Sequence, residues 1–220
     1  MKRTVLAFFL MIMGMGVFAQ NGTIRELSGT VELKNPGAEN YVSAKIGDTV
    51  NQKTVVSTGF KSTALIQVGS TLLTVRPLTR LSLTEINASS GAETLNVNLQ
   101  AGRVRVDVNP PVGSKAAMSV SSPSATASVR GTSFEFDTRN LYVNHGTVSF
   151  RGSRGGGTLV SGGSSSRIKE DGKAATSFET KNGNLRPSAP VGSDNGGNTP
   201  KTSGAASSEN GQFTIKLDYL

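Results

Sequence analysis

Residues 122–136 read SPSATASVRGTSFEF and bring together spaced small residues, one glycine and an aromatic alternation. Side chains two positions apart in a strand point to the same side. Apolar residues recur at that spacing on both sides of Gly131: Ala125, Ala127, Val129, Phe134 and Phe136. Glycine reaches backbone angles that other residues avoid, and it is common at sharp bends. This stretch therefore predicts two strands that meet at a bend centred on Gly131.

Arg130 stands directly before that bend, and two roles are open for it. The planar guanidinium carries a fixed fork of donors that suits backbone carbonyls or a carboxylate. In a structural role, Arg130 folds back and bonds to such groups within its own domain. In a functional role, it reaches outward to an anionic ligand.

The rest of the chain up to about residue 174 repeats the theme of short apolar alternations separated by turn residues. The run Leu65–Val68 and the run Leu72–Val75 flank Gly69 and Ser70, which predicts a tight hairpin. Such strands at spacings of about 8 to 12 residues are typical of all-β domains. We expect an all-β fold of short antiparallel strands, and the periodicity fits either a twisted β-solenoid or a β-sandwich.

The stretch around Arg130 resembles the signature of the FecR family of envelope proteins, in which spaced alanines lead into Val-Arg-Gly-Thr and an aromatic strand. The residues that carry this structural signature are Pro123, Val129, Arg130, Gly131, Thr132 and Phe134. Ser122 stands where the family has threonine. The resemblance extends over about Thr23–Ala174 and implies a FecR-type domain built as a twisted, solenoid-like stack of short antiparallel strands.

The resemblance also implies a regulatory role. FecR proteins combine a cytoplasmic anti-sigma segment, one membrane span and a periplasmic part that receives a signal from an outer-membrane protein. This chain is similar to the periplasmic part alone. It is therefore expected to be a protein-interaction, signal-sensing or assembly module of the bacterial envelope.

The first 19 residues have the pattern of a secretory signal peptide. Lys2 and Arg3 precede the apolar run Val5–Phe18, and Val17-Phe18-Ala19 forms a small-x-small cleavage site. The run is short for a membrane span. We expect an extracytoplasmic protein, periplasmic or secreted, without an integral membrane segment after cleavage.

The composition argues against catalysis. The 220 residues include no Cys and a single histidine, His145, in a predicted turn. Disulfides, thiol chemistry and a zinc site of the Cys/His type are therefore excluded, and no triad pattern surrounds the histidine. The acidic residues are few and scattered. We predict a protein that is not an enzyme and needs no cofactor.

The sequence divides into four segments. Residues 1–19 form the signal peptide, and residues 20–181 form the FecR-like β domain. Residues 182–212 are rich in Gly, Ser, Asn and Pro and are predicted to be a disordered linker. Residues 213–220 alternate again as a C-terminal β segment, with one apolar face made of Phe213, Ile215, Leu217 and Tyr219. This segment either completes an edge of its own sheet or adds a strand to an envelope protein.

The charge supports a second hypothesis. The chain has a net charge of +8, which becomes +6 when Lys2 and Arg3 leave with the signal peptide. Arg103 and Arg105 share a strand face, where they would bind a cell-wall or other anionic glycan. Nucleic acid is not an expected partner, because the chain is exported and its aromatics are not interleaved with basic residues.

Overall fold

The computed structural model describes residues 21–89 and 92–185, and nearly all of them lie in strands or short turns. The predicted signal peptide, the C-terminal β segment and the linker beyond residue 185 lie outside the described residues. In chain order the strands are β1 (Gly22–Ser28), β2 (Val31–Lys34), β3 (Val42–Ser43), β4 (Thr49–Val50), β5 (Val55–Thr58), β6 (Thr63–Val68), β7 (Thr71–Val75), β8 (Arg80–Ser89), β9 (Ala92–Ala101), β10 (Arg103–Val108), β11 (Lys115–Ser121), β12 (Ala125–Arg130), β13 (Ser133–Asp137), β14 (Asn140–His145), β15 (Thr147–Gly152), β16 (Gly157–Ser161) and β17 (Ser165–Arg167).

The strands form two sheets. Sheet A has eight strands in the order β17-β14-β13-β10-β7-β6-β1-β4, and sheet B has nine in the order β16-β15-β12-β11-β9-β8-β5-β2-β3. The chain passes back and forth between the sheets, and in both it advances from the β1–β4 end to the β15–β17 end. The all-β prediction is confirmed. Of the two architectures that the sequence left open, the two-sheet sandwich fits.

One strand pairing departs from the antiparallel expectation. β9 and β11 are neighbours in sheet B and run parallel, with Met118 opposite Leu95 and Val120 opposite Val97. The strand between them, β10, belongs to sheet A. The chain therefore crosses to the other sheet and returns before it pairs, so that the second strand enters in the same direction as the first.

The core lies between the two sheets. Inward residues of both sheets form one apolar cluster, and Phe134, Phe136 and Phe150 are its largest fully buried side chains. Phe136 of sheet A and Phe150 of sheet B meet edge to face, with ring centroids 5.7 Å apart and an interplanar angle of 78°. This aromatic pair joins the sheets, and such contacts add to the free energy of burial.

Within the described residues, one helix, α1 (Ser177–Leu185), follows the last strand and packs on β17. Thr176 and Glu179 form a capping box at its start. Glu179 Oε2 accepts from the Thr176 N–H at 2.7 Å, and Thr176 Oγ1 accepts from the Glu179 N–H at 3.2 Å. This helix differs from the purely β expectation, although the Thr-x-x-Glu spacing of Thr176 and Glu179 is typical of a helix start. The helix includes residues 182–185, the first four of the predicted linker.

No helix among residues 21–89 and 92–185 is both long enough and apolar enough to span a bilayer.

Candidate functional site

The Arg-Gly-Thr corner lies where the chain leaves sheet B for sheet A. Gly131 has a φ of +66° and separates β12 from β13, so the predicted bend is a crossing between the two sheets. Val129 and Phe134 are buried on either side of it. Thr132 is buried too, and its hydroxyl donates to the Thr147 carbonyl at 3.4 Å. These residues hold the corner in place.

Arg130 has a different environment. Its side chain is exposed, and in the described part of the chain no hydrogen bond or ion pair engages its guanidinium. The bonds expected of a structural Arg130 are therefore not seen among these residues. Pro123, at the other end of the signature, is exposed as well. The signature thus divides into buried residues that build the corner and an arginine that points to solvent.

Arg130 borders an open depression of about 710 Å³ on the outer face of sheet B. The floor consists of small side chains on adjacent strands. Strand register places Ser119 opposite Ser128, and Ser128 opposite Ser149. The far side is bounded by Leu159, which is 69% exposed. The depression therefore offers one free cation, a row of hydroxyl groups and one apolar side chain.

Arg103 and Arg105, the predicted anion-binding pair, lie on the outer face of sheet A. Strand register places Arg103 opposite Asp137 and Arg105 opposite Glu135. The guanidinium of Arg103 lies 3.7 Å from the Glu135 carboxylate and 3.8 Å from that of Asp137. Arg76, just after the end of the neighbouring strand β7, lies 3.4 Å from the same Glu135. Each of these arginines thus faces carboxylates of its own sheet.

Of these three arginines, Arg105 makes the shortest ion pair, which is with Asp107. Its Nε donates to Asp107 Oδ2 at 3.0 Å and its Nη2 donates to Oδ1 at 3.3 Å, a two-bond arrangement. Burial works against the ionised form of Asp107, but hydrogen bonds from Arg105 and Ser133 outweigh it, so the pKa of Asp107 lies below its ordinary value. The hydrogen bond to Asp107 raises the pKa of Arg105.

These pairings change what the outer face of sheet A offers to a ligand. The face borders a cleft of about 400 Å³ whose lining includes Arg103, Arg167, Glu135 and Asp137. Positive and negative groups alternate there, so the local field on an anionic polymer is weaker than two free arginines would give. We did not predict that these carboxylates would pair with the arginines, although the alternation Ser133-Glu135-Asp137 places them on one outward face.

Two further sequence predictions concern His145 and the C-terminal β segment. His145 is exposed at the end of β14, next to Gly146. Among the described residues, no group of three or more His, Asp or Glu side chains is arranged to hold a metal ion. Phe213, Ile215, Leu217 and Tyr219 lie outside the described residues, so their predicted role in partner binding stays a prediction.

Comparison with known proteins supports the resemblance noted in the sequence. Residues 54–149 match the family model described as FecR protein, which confirms the resemblance to that family. Two crystal structures of a candidate anti-sigma factor from Parabacteroides distasonis are similar in fold, each with 15% sequence identity and a TM-score of 0.44. The similarity covers 55% of this chain and 57% of that chain. No curated protein matches the sequence.

Proposed function

We propose that this protein, whose residues 54–149 form a FecR domain, is a non-catalytic signal-sensing module of the bacterial envelope that acts by binding another protein. FecR domains belong to regulators, so a protein partner suits this chain better than a substrate. The predicted signal peptide at residues 1–19 supports an extracytoplasmic location, periplasmic or secreted.

The observation that carries the proposal is the exposed guanidinium of Arg130. The rest of the Val-Arg-Gly-Thr motif is used to build a corner, whereas the guanidinium of Arg130 makes no hydrogen bond or ion pair to any residue in the described ranges. The N–H donors of its guanidinium therefore remain available to a partner. Arginine is also enriched among the residues that dominate binding energy at protein interfaces.

The depression beside Arg130 supports a protein ligand of mixed character. Serine hydroxyls on its floor both donate and accept hydrogen bonds. Leu159, at the far side, gives an apolar contact. A partner segment that carries one carboxylate near one apolar side chain fits this arrangement.

The glycan hypothesis receives less support from the outer face of sheet A. Arg103 and Arg105, on which it depended, both face carboxylates on sheet A. The positive charge available to an anionic polymer on that face is therefore reduced.

The test is site-specific photocrosslinking in cells of the source organism. A photoreactive residue at Ser128, on the floor of the depression, is compared with one at Thr74 on the outer face of sheet A. We expect a discrete protein crosslink from position 128 and not from position 74. Fractionation of the same cells should find the protein outside the cytoplasm and lacking residues 1–19.

Two substitutions identify the contribution of Arg130. Arg130→Ala should abolish the crosslink and leave the melting temperature unchanged, because the side chain is exposed. Arg130→Lys keeps the charge but loses the planar fork and should weaken the crosslink less. If Arg130→Ala lowers the melting temperature and the crosslink falls only in proportion to unfolding, Arg130 is structural and the proposal is wrong.

A further inference from the structure

Two turns at one end of the sandwich present large apolar side chains to solvent. The first, residues 59–62, joins β5 to β6, and the second, residues 76–79, joins β7 to β8. Phe60 is 74% exposed and Leu78 is 62% exposed. Leu78 N–H donates to the Gly59 carbonyl at 3.2 Å, so the two turns lie side by side. Together they form the turn edge of the domain.

The backbone of the turn edge is unusual for the residues it carries. Leu78 has a φ of +55° and Lys61 has a φ of +53°. This left-handed region favours glycine, because a Cβ there comes too close to the following carbonyl oxygen. Most of the Leu78 side chain is exposed, so burial does little to offset the strain. A strained leucine that adds little to the core is a candidate for a role outside the fold.

The turn edge carries positive charge. Its residues include Lys61 and Arg76 and no Asp or Glu. The Lys61 Nζ lies 5.6 Å from the centroid of the exposed Phe60 ring. Arg76 pairs with Glu135, whereas no ion pair within the described ranges engages Lys61. Lys61 therefore places an unbalanced positive charge beside an exposed aromatic ring.

We propose that the turn edge binds the surface of an anionic phospholipid membrane, with Phe60 and Leu78 inserted among the lipids and Lys61 at the level of the headgroups. Exposed apolar residues of this kind mark sites for proteins or membranes. Side chains at the tips of two turns offer a protein little surface to pack against, whereas lipids enclose them on all sides.

Charge favours the membrane as the occupant. Binding to a lipid surface grows with the apolar area that is buried and with the attraction of basic residues to anionic headgroups. Phe60 and Leu78 supply the first contribution, and Lys61 supplies the second. The net charge of the chain, which stays positive without residues 1–19, acts in the same direction.

Strand β10 relates the turn edge to the corner that holds Arg130. Thr79, in the turn edge, accepts from the N–H of Arg103 at the start of β10. Val108 N–H, at the end of the same strand, donates to the Thr132 carbonyl at 3.1 Å. The turn edge and Arg130 therefore lie toward opposite ends of β10. A domain held on a membrane by the turn edge leaves Arg130 open to a protein partner.

Sedimentation with lipid vesicles tests the proposal. The chain of residues 20–220 is used, because it keeps the described domain and omits the apolar run Val5–Phe18, which would bind lipid by itself. Vesicles of phosphatidylglycerol and phosphatidylcholine should carry the protein into the pellet, and vesicles of phosphatidylcholine alone should carry much less. Equal binding to the two kinds of vesicle, or binding to neither, would overturn the proposal.

Fluorescence shows which side chains enter the bilayer. The chain contains no tryptophan, so Phe60→Trp introduces a single reporter at the turn edge. Its emission should shift to the blue on anionic vesicles and be quenched by lipids brominated in their acyl chains. Leu159→Trp, at a residue 69% exposed on the outer face of sheet B, is the matched control and should not respond. Equal responses at the two positions would overturn the proposal. A blue shift at position 60 with added envelope proteins but not with vesicles would also overturn it, because the occupant would then be a protein.

Two substitutions separate the apolar contribution from the charged one. Leu78→Gly removes the side chain and relieves the strain of a positive φ, so vesicle binding should fall about tenfold without a loss in melting temperature. Lys61→Asn removes the charge with a residue that tolerates the same φ, and binding should fall about fivefold. Leu159→Ser should bind like the parent protein. Unchanged binding by both Leu78→Gly and Lys61→Asn would overturn the proposal.

Discussion

Thr79 Oγ1 accepts a hydrogen bond from Arg103 N–H at 2.9 Å and donates one to the Arg103 carbonyl at 3.0 Å. The hydroxyl thereby joins two turns, since Thr79 lies between β7 and β8 and Arg103 begins β10 just after Gly102. At both turns the chain crosses between the sheets. A Cβ on Gly102 would lie 2.3 Å from the same hydroxyl oxygen. The hydroxyl fits only because residue 102 is glycine.

The arrangement occurs three times along the sandwich. Ser62 lies against Gly29, with its hydroxyl 2.4 Å from where a glycine Cβ would be, and accepts from Thr30 N–H at 2.8 Å. The Thr132 hydroxyl oxygen would lie 3.1 Å from a Cβ on Gly146. In each case a buried hydroxyl from one crossing turn meets a glycine of another. Each of these contacts between small residues therefore joins two turns at which the chain crosses between the sheets.

Gly102→Ala should destabilise the protein strongly. Gly102 has a φ of +85°, which costs a residue with a Cβ about 1–2 kcal/mol. The added methyl group would also collide with Thr79. Gly37→Ala is the matched control, because Gly37 has a φ of +78° and nothing within 4 Å of its would-be Cβ. Urea unfolding should show a clearly larger loss for Gly102→Ala, and equal losses would mean that the turn relaxes.

Thr79→Val should cost about 1–3 kcal/mol, the range for leaving a buried polar group unpaired. Valine has nearly the shape of threonine but lacks the hydroxyl, so the Arg103 N–H loses its acceptor. Thr74→Val, on the outer face of β7, is the control and should change the unfolding free energy little. The result would be contradicted by a Thr79→Val protein as stable as the parent.

Acid should destabilise the protein partly through Asp107. Its pKa is lower in the folded state, because the bonds from Arg105 and Ser133 outweigh burial. The ordinary value for aspartate is about 3.9, so the stabilisation is complete above that pH and is lost as the pH falls through the folded value. Asp107→Asn should flatten the decline in melting temperature as the pH falls below about 4.

Arg105→Gln provides the matched test of the same carboxylate. It removes the strongest donor to Asp107, so the melting temperature should depend less on pH in this acid range than that of the parent protein. If both variants lose stability in acid as steeply as the parent, the Asp107 carboxylate does not contribute in this way.

Phe136→Ala should cost about 3–5 kcal/mol, the range for removing a buried phenylalanine. The ring is fully buried and meets Phe150 of the other sheet, so its loss opens a cavity between the sheets. Tyr142→Ala on the adjacent strand removes a ring that is 47% exposed and should cost much less. Comparable losses for the two variants in thermal unfolding would contradict this account of the core.

Much of the fold follows from residues that are close in sequence. The Gly69-Ser70 hairpin is confirmed, with Val68 opposite Thr71. The alternation around Gly131 also gave the correct buried face. In the sequence, Ile86 is out of phase with Leu81 and Leu83 of β8. The register shift between Leu83 and Glu85 explains this difference, because the bulge returns Ile86 to the core.

The parts that sequence did not predict depend on distant partners. β9 and β11 pair in parallel because the chain crosses to sheet A between them to form β10. No local sequence pattern predicts that crossing. The charges that face Arg103 come from β13, more than thirty residues further along the chain. Strand alternation identifies which side chains point outward, but only the order of strands in the sheet determines which of them become neighbours.

The steady advance of the chain along both sheets affects how the domain gains its structure. Each strand pairs with strands only a few places away in strand order, as β1 does with β4 and β6. The two ends of the domain therefore never have to meet for a sheet to form, and the entropic cost of closing a loop grows only slowly with its length. The Phe136–Phe150 pair links the two sheets near their β15–β17 end, through β13 and β15. The terminal strands, with neighbours on one side only, should open first in hydrogen exchange. A sandwich organised in this way tolerates strands gained or lost at either end without rearranging its centre.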